Sequence, residues 1–558
     1  MIIYTVVDGS LFNEMITCGA DNLKLHTDEV NGLNVFPVPD GDTGDNMYMT
    51  ISSGVSAMNK TDKDDIGDVA AALSRGMLLG ARGNSGVILS QFFSGVAKRL
   101  ENIYEADVNL LSEAFKSGVK QAYRAVMNPT EGTILTVARE GIENAVESIT
   151  PETTVNALFA KIKTEMAESL KRTPELLEVL KEAGVIDSGG AGLLCIFDGI
   201  DRMLSGDKVK NTDKEEKKEV AKGELAIDTF TEDSIMTFGY CTEFLLRLQN
   251  SKVDVSTFEV DTIIDYLKTV GDSLVVVKED SIVKIHVHTF TPEKVIAFCR
   301  KFGEFLTVKI ENMSVQHSEM LKEGEEEHTQ NHEAMPQKEY AVIAVCTGKG
   351  MKNAFIDLGT DVVIEGGQTS NPSTEDFINA FRKVNAKHIF VLPNNSNIIM
   401  AANQAAEMFD SSEVHVIESR NIGSGYVALA SFNPEADSAE EIAAAMNEAM
   451  QSVSTGFVST SARDADIGGV HIRKGDYICF VGKKMISADR AKNISMKKLI
   501  DYIFDAGDKF MLTAFLGKDT DETDKDELKA YMNEKYPDTE LYITAGGQDV
   551  YPYIIIAE

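Results

Sequence analysis

Six cysteines in 558 residues, at positions 18, 195, 241, 299, 346 and 479, include no CxxC pair. Scattered thiols fit a reducing cytosol and argue against a disulfide framework. No apolar run approaches the roughly 20 residues that a bilayer span requires. The opening MIIYTVVDGS lacks the basic n-region, the h-region and the small-residue cleavage site of a secretory signal. A cytoplasmic protein is the expectation. Positive charge is also scarce, since 54 basic side chains stand against 88 acidic ones and the formal net charge is −34. That deficit argues against nucleic acid or an anionic membrane surface as the main partner, because both demand a basic footprint. What remains is an ordinary globular composition, 43 % apolar and 25 % charged. The length implies about three or four domains.

Two charged stretches read as linkers. Residues 207–224 hold six acids and six bases, and residues 318–339 hold seven acids against two bases. Neither has the apolar side chains needed to repay ordering, although both could instead be solvated helix ends. They divide the chain into three regions. Residues 1–206 repeat apolar side chains at three-to-four spacing with Gly-rich breaks, which predicts an all-α domain. Residues 225–317 mix strand-like FGYCTEFLLRL, SLVVVKED and SIVKIHVHTF with helical VDTIIDYLKTV and PEKVIAFCRKF, a small α+β domain. Residues 340–558 alternate short β-branched runs with helices, as a parallel α/β sheet does, and turn more antiparallel past about 455, giving a second lobe.

The sharpest chemical signal is NVFPVPDGDTGDN at 34–46, where Asp40, Asp42 and Asp45 are interleaved with glycines. Carboxylates this close repel one another, and oxygen-only ligands select hard cations such as Mg²⁺ or Ca²⁺. An EF-hand is excluded, because with Asp40 at position 1 the twelfth residue is Ile51 rather than Glu. Two Mg²⁺ shared with a nucleotide suit three Asp on a glycine turn; a solvated turn with capping aspartates is the plain alternative. A second turn, Gly80-Ala81-Arg82-Gly83-Asn84-Ser85-Gly86, lies between two helical stretches. It matches neither the Walker nor the Rossmann pattern. It can cradle an anion at a helix N-terminus or simply be a helix–helix turn. Glu131-Gly132-Thr133 and Asp187-Ser188-Gly189-Gly190-Ala191-Gly192 have the same character, and Thr133 and Ser188 are also plausible plain N-caps. Four such turns in one helical domain suit a phosphate and metal site at one end of a bundle.

PVPDGDTGDN, GARGNSGVILSQ, EGTILTVARE and RTPELLEVLKEAGVIDSGGAGL, in that order, resemble the nucleotide-binding domain of the dihydroxyacetone kinase family. Over the whole chain the resemblance is to the ATP-binding subunits of bacterial fatty acid kinases. It implies a barrel of about eight amphipathic helices that binds Mg–ATP at its mouth. Asp40, Asp42 and Asp45 would hold two Mg²⁺, supported by Thr43 and Asn46. Gly83, Asn84, Ser85 and Gly86 would wrap the phosphates, and Thr133, Asp187, Ser188 and Gly189 would complete the pocket. Arg172 is the candidate for the γ-phosphate, with Arg82 as runner-up.

In the middle region, Cys241 and His286-Val287-His288 are a borderline-soft set suited to Zn²⁺, since residues two apart in a strand face one side. A buried thiol with two satisfied strand histidines is the other reading of the residues. The resemblance implies the zinc, with water or Glu243 as a fourth ligand. The last region resembles the DegV-like fatty-acid-binding proteins, and GGQTSNPSTEDF at 366–377 is similar to their lipid carboxylate loop. Pro393-Asn394-Asn395-Ser396-Asn397 departs from that pattern, so a degenerate fold used for docking is expected, with Ser370 or Ser373 as plain helix caps.

The function implied is ATP-dependent phosphorylation of a fatty acid carboxylate for phospholipid synthesis. The acid would be presented by a separate DegV-like binding protein, and the kinase would be a possible homodimer. The competing expectations are a kinase for a small hydroxyl such as dihydroxyacetone, and a non-catalytic lipid-binding scaffold.

Overall fold

The computed structural model describes residues 2–34, 41–62, 64–207, 240–255, 258, 260–279, 281–289, 291–312, 338–367, 370–507 and 509–558. They belong to two compact units, Met1–Val209 with Pro336–Glu558, and Lys210–Met335. The charged stretches 207–224 and 318–339 lie outside the described residues except for Asp207, Lys338 and Glu339.

The N-terminal region is helical, as its periodicity predicts. Its long helices are α1 (Gly9–Leu25), α3 (Thr43–Asn59), α4 (Ile66–Gly80), α5 (Gly83–Leu100), α6 (Val108–Ala125), α7 (Ile134–Glu147), α8 (Val155–Leu176) and α10 (Ser188–Ser205). Two short ones, α2 (Thr27–Asn31) and α9 (Glu178–Ala183), lie between them, and β1 (Val6–Val7) pairs with β2 (Ala106–Asp107). On α6 the buried residues Leu111, Ala114, Phe115, Gly118, Val119 and Ala122 follow the spacing of a single helical face. The helices enclose one apolar core, at whose centre Phe92, Phe115, Phe159 and Phe197 meet at ring distances of 5.6–6.5 Å. Such ring pairs add roughly 0.5–1.5 kcal/mol each beyond the area they bury.

The chain runs up and down through this barrel. At one end the starts of α1, α4, α6 and α8 meet: β1 lies on β2, Ile66 N–H donates to Tyr104 O (3.1 Å) and Val155 N–H to Tyr4 O (2.9 Å). The starts of α3, α5, α7 and α10 are therefore at the other end.

The middle unit is α+β. Strands β3 (Tyr240–Leu248), β4 (Gly271–Glu279), β5 (Ile282–Thr289) and β6 (Gly303–Asn312) form an antiparallel sheet in the order β4-β5-β3-β6. Helices α11 (Asp261–Val270) and α12 (Pro292–Cys299) bury Ile263, Leu267 and Val295 in one cluster with Phe244, Leu246, Ile285 and Val287 of the sheet.

The C-terminal region has two lobes. In the first, β7 (Lys338–Cys346), β8 (Val362–Glu365), β9 (Ala386–Leu392) and β10 (Glu413–Val416) form a wholly parallel sheet in the order β10-β9-β7-β8. Helices α13 (Lys349–Asp357), α14 (Thr374–Lys383), α15 (Ile399–Glu407), α16 (Ile422–Ala430) and α17 (Ala439–Ser452) accompany it. The second lobe holds β11 (Ser454–Thr460), the hairpin β12 (Ala465–Ile467) and β13 (Val470–Ile472), then β14 (Tyr477–Val481), β15 (Lys484–Asp489), α18 (Lys492–Asp505), β16 (Met511–Leu516), α19 (Glu522–Lys535), β17 (Glu540–Ala545) and β18 (Tyr553–Ala557). Its sheet runs β15-β14-β11-β18-β16-β17 and is antiparallel except for the pair β16/β17.

Cys18, Cys195, Cys299, Cys346 and Cys479 are free thiols. Burial pushes the Cys195 thiol up to about 11 and those of Cys299 and Cys346 to about 12, which leaves them protonated and unreactive at neutral pH. Among the described residues no helix is long and apolar enough to cross a membrane.

Candidate functional site

All four Gly-containing turns lead into helices that start at one end of the barrel, α3, α5, α7 and α10. Asn34 ties two of them together: its side-chain oxygen accepts from Thr43 Oγ1 (2.9 Å) and from Ser188 Oγ (3.1 Å). Gly83 has a left-handed φ of +59°, and a Cβ there would stand 2.7 Å from Asn46 Nδ2. A Cβ on Gly86 would stand 2.4 Å from Thr50 Oγ1, so only glycine lets α5 approach α3 this closely. A Cβ on Gly189 would lie 3.4 Å from Ser85 Oγ and 3.2 Å from Ile134 Cβ, which brings α10, α5 and α7 together.

Asp40 lies outside the described residues; Asp42 and Asp45 are at the start of α3. Asp42 is the N-cap residue, yet its side chain bonds no backbone N–H of the helix. Asn31 serves the turn instead, accepting from Gly44 N–H (2.7 Å) and donating to Asp45 Oδ2 (2.8 Å). Asp42 Oδ2 accepts from Asn371 Nδ2 at 2.6 Å. The repulsion expected of this carboxylate cluster is thus relieved in part without a cation. Neutral amides donate to Asp42 and Asp45, and the positive end of α3 faces both.

The 187–190 turn works as a double cap. Asp187 Oδ2 accepts from Gly190 N–H (2.6 Å), and the carboxylate also accepts from the Ile134 backbone. Burial outweighs these bonds and pushes the Asp187 carboxyl up to about 6. Asp187, rather than Ser188, is the cap of α10. Thr133 occupies the N-cap position of α7, but its hydroxyl donates outward to Thr130 O (2.8 Å). Glu131 is held by Arg139 and accepts from Thr136 Oγ1 (2.5 Å).

The two arginine candidates fare differently. Arg172, near the end of α8, donates to Glu140 Oε2 (2.6 Å), which also takes Ser169 Oγ (2.8 Å). The next residue, Thr173, accepts from Asp187 N–H (3.1 Å), so Arg172 borders the pocket while paired away from the Asp turn. Arg82 reaches into the C-terminal region, donating to Asn371 O (2.7 Å) and pairing with Asp376 at 3.6 Å.

Nothing in the sequence points to that contact. Arg82 and Ser373 form an isolated β-bridge, Thr374 N–H donates to Ala81 O (3.2 Å), and Gln404 Nε2 to Leu78 O (2.7 Å). Ala81 and Val87 share an apolar cluster with Phe377, Ile398, Ala401 and Ala402. On another side of the Asp turn, Arg463 donates to Asn34 O (2.6 Å). The loop resembling a lipid carboxylate loop therefore lies against the Asp turn, and Asn371 is its contact residue. Ser373 is a helix cap, forming a reciprocal box with Asp376 at the start of α14. Asn371 and Asn84 each leave a buried side-chain oxygen without a hydrogen-bond partner. Such orphan acceptors suit an oxygen-ligated cation or a water that it holds.

Beside the 366–367 segment the cavity bounded by Cys346, Pro393, Asn421 and Tyr551 measures about 60 Å³. Ligand pockets run to roughly 300–1,000 Å³, so this space is too small for an acyl chain. Asn394 fills part of it with a left-handed backbone (φ 59°), its side chain bonded to Val345 O and Ser419 Oγ.

In the middle unit the strands carrying the proposed zinc ligands are neighbours. Cys241 stands opposite His288, and Glu243 opposite His286. Phe244 and Leu246 of β3 and Ile285 and Val287 of β5 are buried in the core of this unit.

Comparison with known proteins agrees along the whole chain. Residues 37–202 match the DAK2 domain, 237–320 the FakA-like middle domain of fatty acid kinases, and 341–558 the FakA-like C-terminal domain. Protein YloV of Bacillus subtilis is 42 % identical over 561 residues, covering 99 % of both chains. An uncharacterized protein of Staphylococcus aureus strain MRSA252 is 39 % identical, also over 99 % of both. Among solved structures, a DegV family protein from Thermus thermophilus, described as fatty acid binding, covers 39 % of this chain and 99 % of its own at 14 % identity and a TM-score of 0.30. The dihydroxyacetone kinase of C. freundii in complex with AMP-PNP and Mg²⁺ covers 36 % of this chain and 35 % of its own at 18 % identity and a TM-score of 0.29. With a kinase-type DAK2 domain followed by both FakA-like domains, and near-complete alignment to such relatives, the chain belongs to the FakA-like family of fatty acid kinase proteins.

Proposed function

We propose that this protein is the ATP-binding subunit of a fatty acid kinase. It would transfer the γ-phosphoryl group of ATP to the carboxylate of a fatty acid held by a separate DegV-like binding protein, giving an acyl phosphate and ADP for phospholipid synthesis. The observation that carries this reading is the common end at which α3, α5, α7 and α10 begin, with the Asp42 turn among them, in a chain of this family. Helix starts present backbone N–H groups and positive dipole ends, which is what a triphosphate needs.

The residues take roles that follow from their positions. Asp40, Asp42 and Asp45, with the orphan oxygen of Asn84, would hold two Mg²⁺, a set of oxygen donors suited to that ion. Bound there, Mg²⁺ would neutralise phosphate charge. Thr43 and Asn46 would keep the Asp turn in place. Gly83, Asn84, Ser85 and Gly86 would wrap the phosphates from the start of α5, and Thr133, Asp187, Ser188 and Gly189 would close the far wall. Arg172 would have to leave Glu140 to reach a γ-phosphate, and Arg82 would have to leave Asn371.

In the reaction a fatty acid carboxylate oxygen bonds to the γ-phosphorus as the bond to the β–γ bridging oxygen breaks and leaves with ADP. No proton need move, because a carboxylate is already ionised at neutral pH. That suits a domain whose one histidine, His26, has its Nδ1 at 2.8 Å from Asn22 O. The work falls to positioning and charge stabilisation. In the middle unit Cys241, His286 and His288, with Glu243 or water as a fourth ligand, would hold a Zn²⁺; the strand register supports that set.

Labelled ATP incubated with the protein, oleate and a DegV-like carrier should give labelled acyl phosphate, and dihydroxyacetone should give none. Transfer to dihydroxyacetone would make this a hydroxyl kinase. Failure to bind a non-hydrolysable ATP analogue with Mg²⁺ in a calorimeter would make it a scaffold.

A further inference from the structure

A second cluster of metal-ligating groups lies far along the chain from the Cys/His/His set, at the edge of the parallel sheet. β10 is the outermost strand and runs parallel to β9, with Glu413 opposite His388 and His415 opposite Phe390. This register gathers three donor atoms. His388 Nδ1 is 3.2 Å from His415 Nε2, Glu413 Oε2 is 3.4 Å from His388 Nδ1, and Glu413 Oε1 is 3.8 Å from His415 Nε2. Bonds of about 2.0–2.1 Å to a tetrahedral Zn²⁺ put neighbouring ligand atoms about 3.3 Å apart. The two imidazoles already have that spacing, and the glutamate needs only a small side-chain rotation.

The surroundings hold the ligands in this arrangement. The His415 ring stacks on buried Phe390 at 5.1 Å, and the His388 ring lies 5.6 Å from Tyr340. Both imidazoles are mostly buried, whereas Glu413 is largely exposed, which leaves a solvent side where water could complete the shell.

We propose that His388, His415 and Glu413 form a binding site for a divalent transition ion, Zn²⁺ first, on the edge of the C-terminal parallel sheet. Two imidazoles and one carboxylate suit borderline ions and are too soft a set for Mg²⁺ or Ca²⁺. The site shares no residue with the Asp42 turn or with Cys241, His286 and His288, and it offers a rigid three-ligand platform with room for water.

The test is Zn²⁺ stoichiometry on the full chain, measured by elemental analysis after equilibration with Zn²⁺ alone and gel filtration. The double variant His388→Asn/His415→Asn should retain one equivalent less than the unaltered chain, with an unchanged circular dichroism spectrum. Glu413→Gln should weaken that equivalent by roughly 10-fold or more, at least as much as loss of an outer-shell partner costs. Co²⁺ gives a second readout. In a Cys241→Ser/His286→Asn/His288→Asn chain it should show visible d–d bands with no thiolate charge-transfer band, and these should vanish when His388 and His415 are also replaced. Equal Zn²⁺ content in the chain and its double variant, or Co²⁺ bands that survive the histidine replacements, would overturn the site and leave the cluster a hydrogen-bonded histidine pair.

Discussion

The two ends of the helical barrel use the same kinds of residue differently. At the end where α1, α4, α6 and α8 begin, Asp8, Asp65, Asp107 and Thr154 each turn their own side chain onto a backbone N–H of the first turn. At the end where α3, α5, α7 and α10 begin, only Asp187 does so, while Asp42, Arg82 and Thr133 do not. Asp, Thr and Gly at helix starts are common in any helical protein, so residue type alone cannot separate a cap from a ligand. What the side chain does with its oxygen can. Capping strengthens the helix and ties the group to it; a carboxylate that turns away from its own helix bonds elsewhere, as Asp42 does to Asn371.

Mutation should break that symmetry most sharply at Asp42. Asp42→Ala is expected to lower ATP turnover by roughly 10²–10³-fold or more, the scale of removing a central electrostatic group, with helicity by circular dichroism unchanged. Near-normal turnover would place Asp42 with the structural caps.

A subtler contrast comes from Asp187, which belongs to both classes, and it is read through pH. Its carboxyl is raised from 3.8 to about 6 in the folded chain. Between those values the native state holds the proton more tightly than the unfolded one, so stability should fall as pH rises from about 4 to 6 and then level off. Thermal melts should show Tm dropping by a few degrees across that window, and Asp187→Asn should flatten the trend while keeping an acceptor for Gly190. A slope unchanged in the variant would assign it to other carboxylates.

The smallest effect belongs to the opposite end. Asp107→Ala removes the bond to Leu110 N–H (2.8 Å) and should cost about 1 kcal/mol of stability with ATP turnover intact. A large loss of turnover there would mean that the two ends are not functionally distinct.

Much of this arrangement is legible in the sequence because it is local. Three-to-four spacing predicts the long helices, and β-branched runs interrupted by helices predict the parallel first lobe. The change of character near 455 coincides with the start of β11. The middle strand β6, GEFLTVKIEN, escapes the pattern: it is an edge strand whose exposed Leu306 and Val308 blur the alternation. The Asp/Gly turns are legible as a set, but the resemblance that offers Arg172 to the γ-phosphate gives no sight of Glu140, 32 residues away in sequence. Ser373 has two readings in the sequence, and its reciprocal bonding with Asp376 supports the cap.

By itself the sequence determined which segments become helices and strands, where the Gly-rich turns fall and which side chains are available for phosphate and metal. Those depend on backbone propensity and apolar periodicity within a few residues. Tertiary structure alone decided that α3, α5, α7 and α10 begin at a common end, that Asn371 meets Asp42, and that His388 comes within 3.2 Å of His415 on a neighbouring parallel strand. These are contacts between groups far apart in the chain, fixed by how cores pack, and no local pattern encodes them.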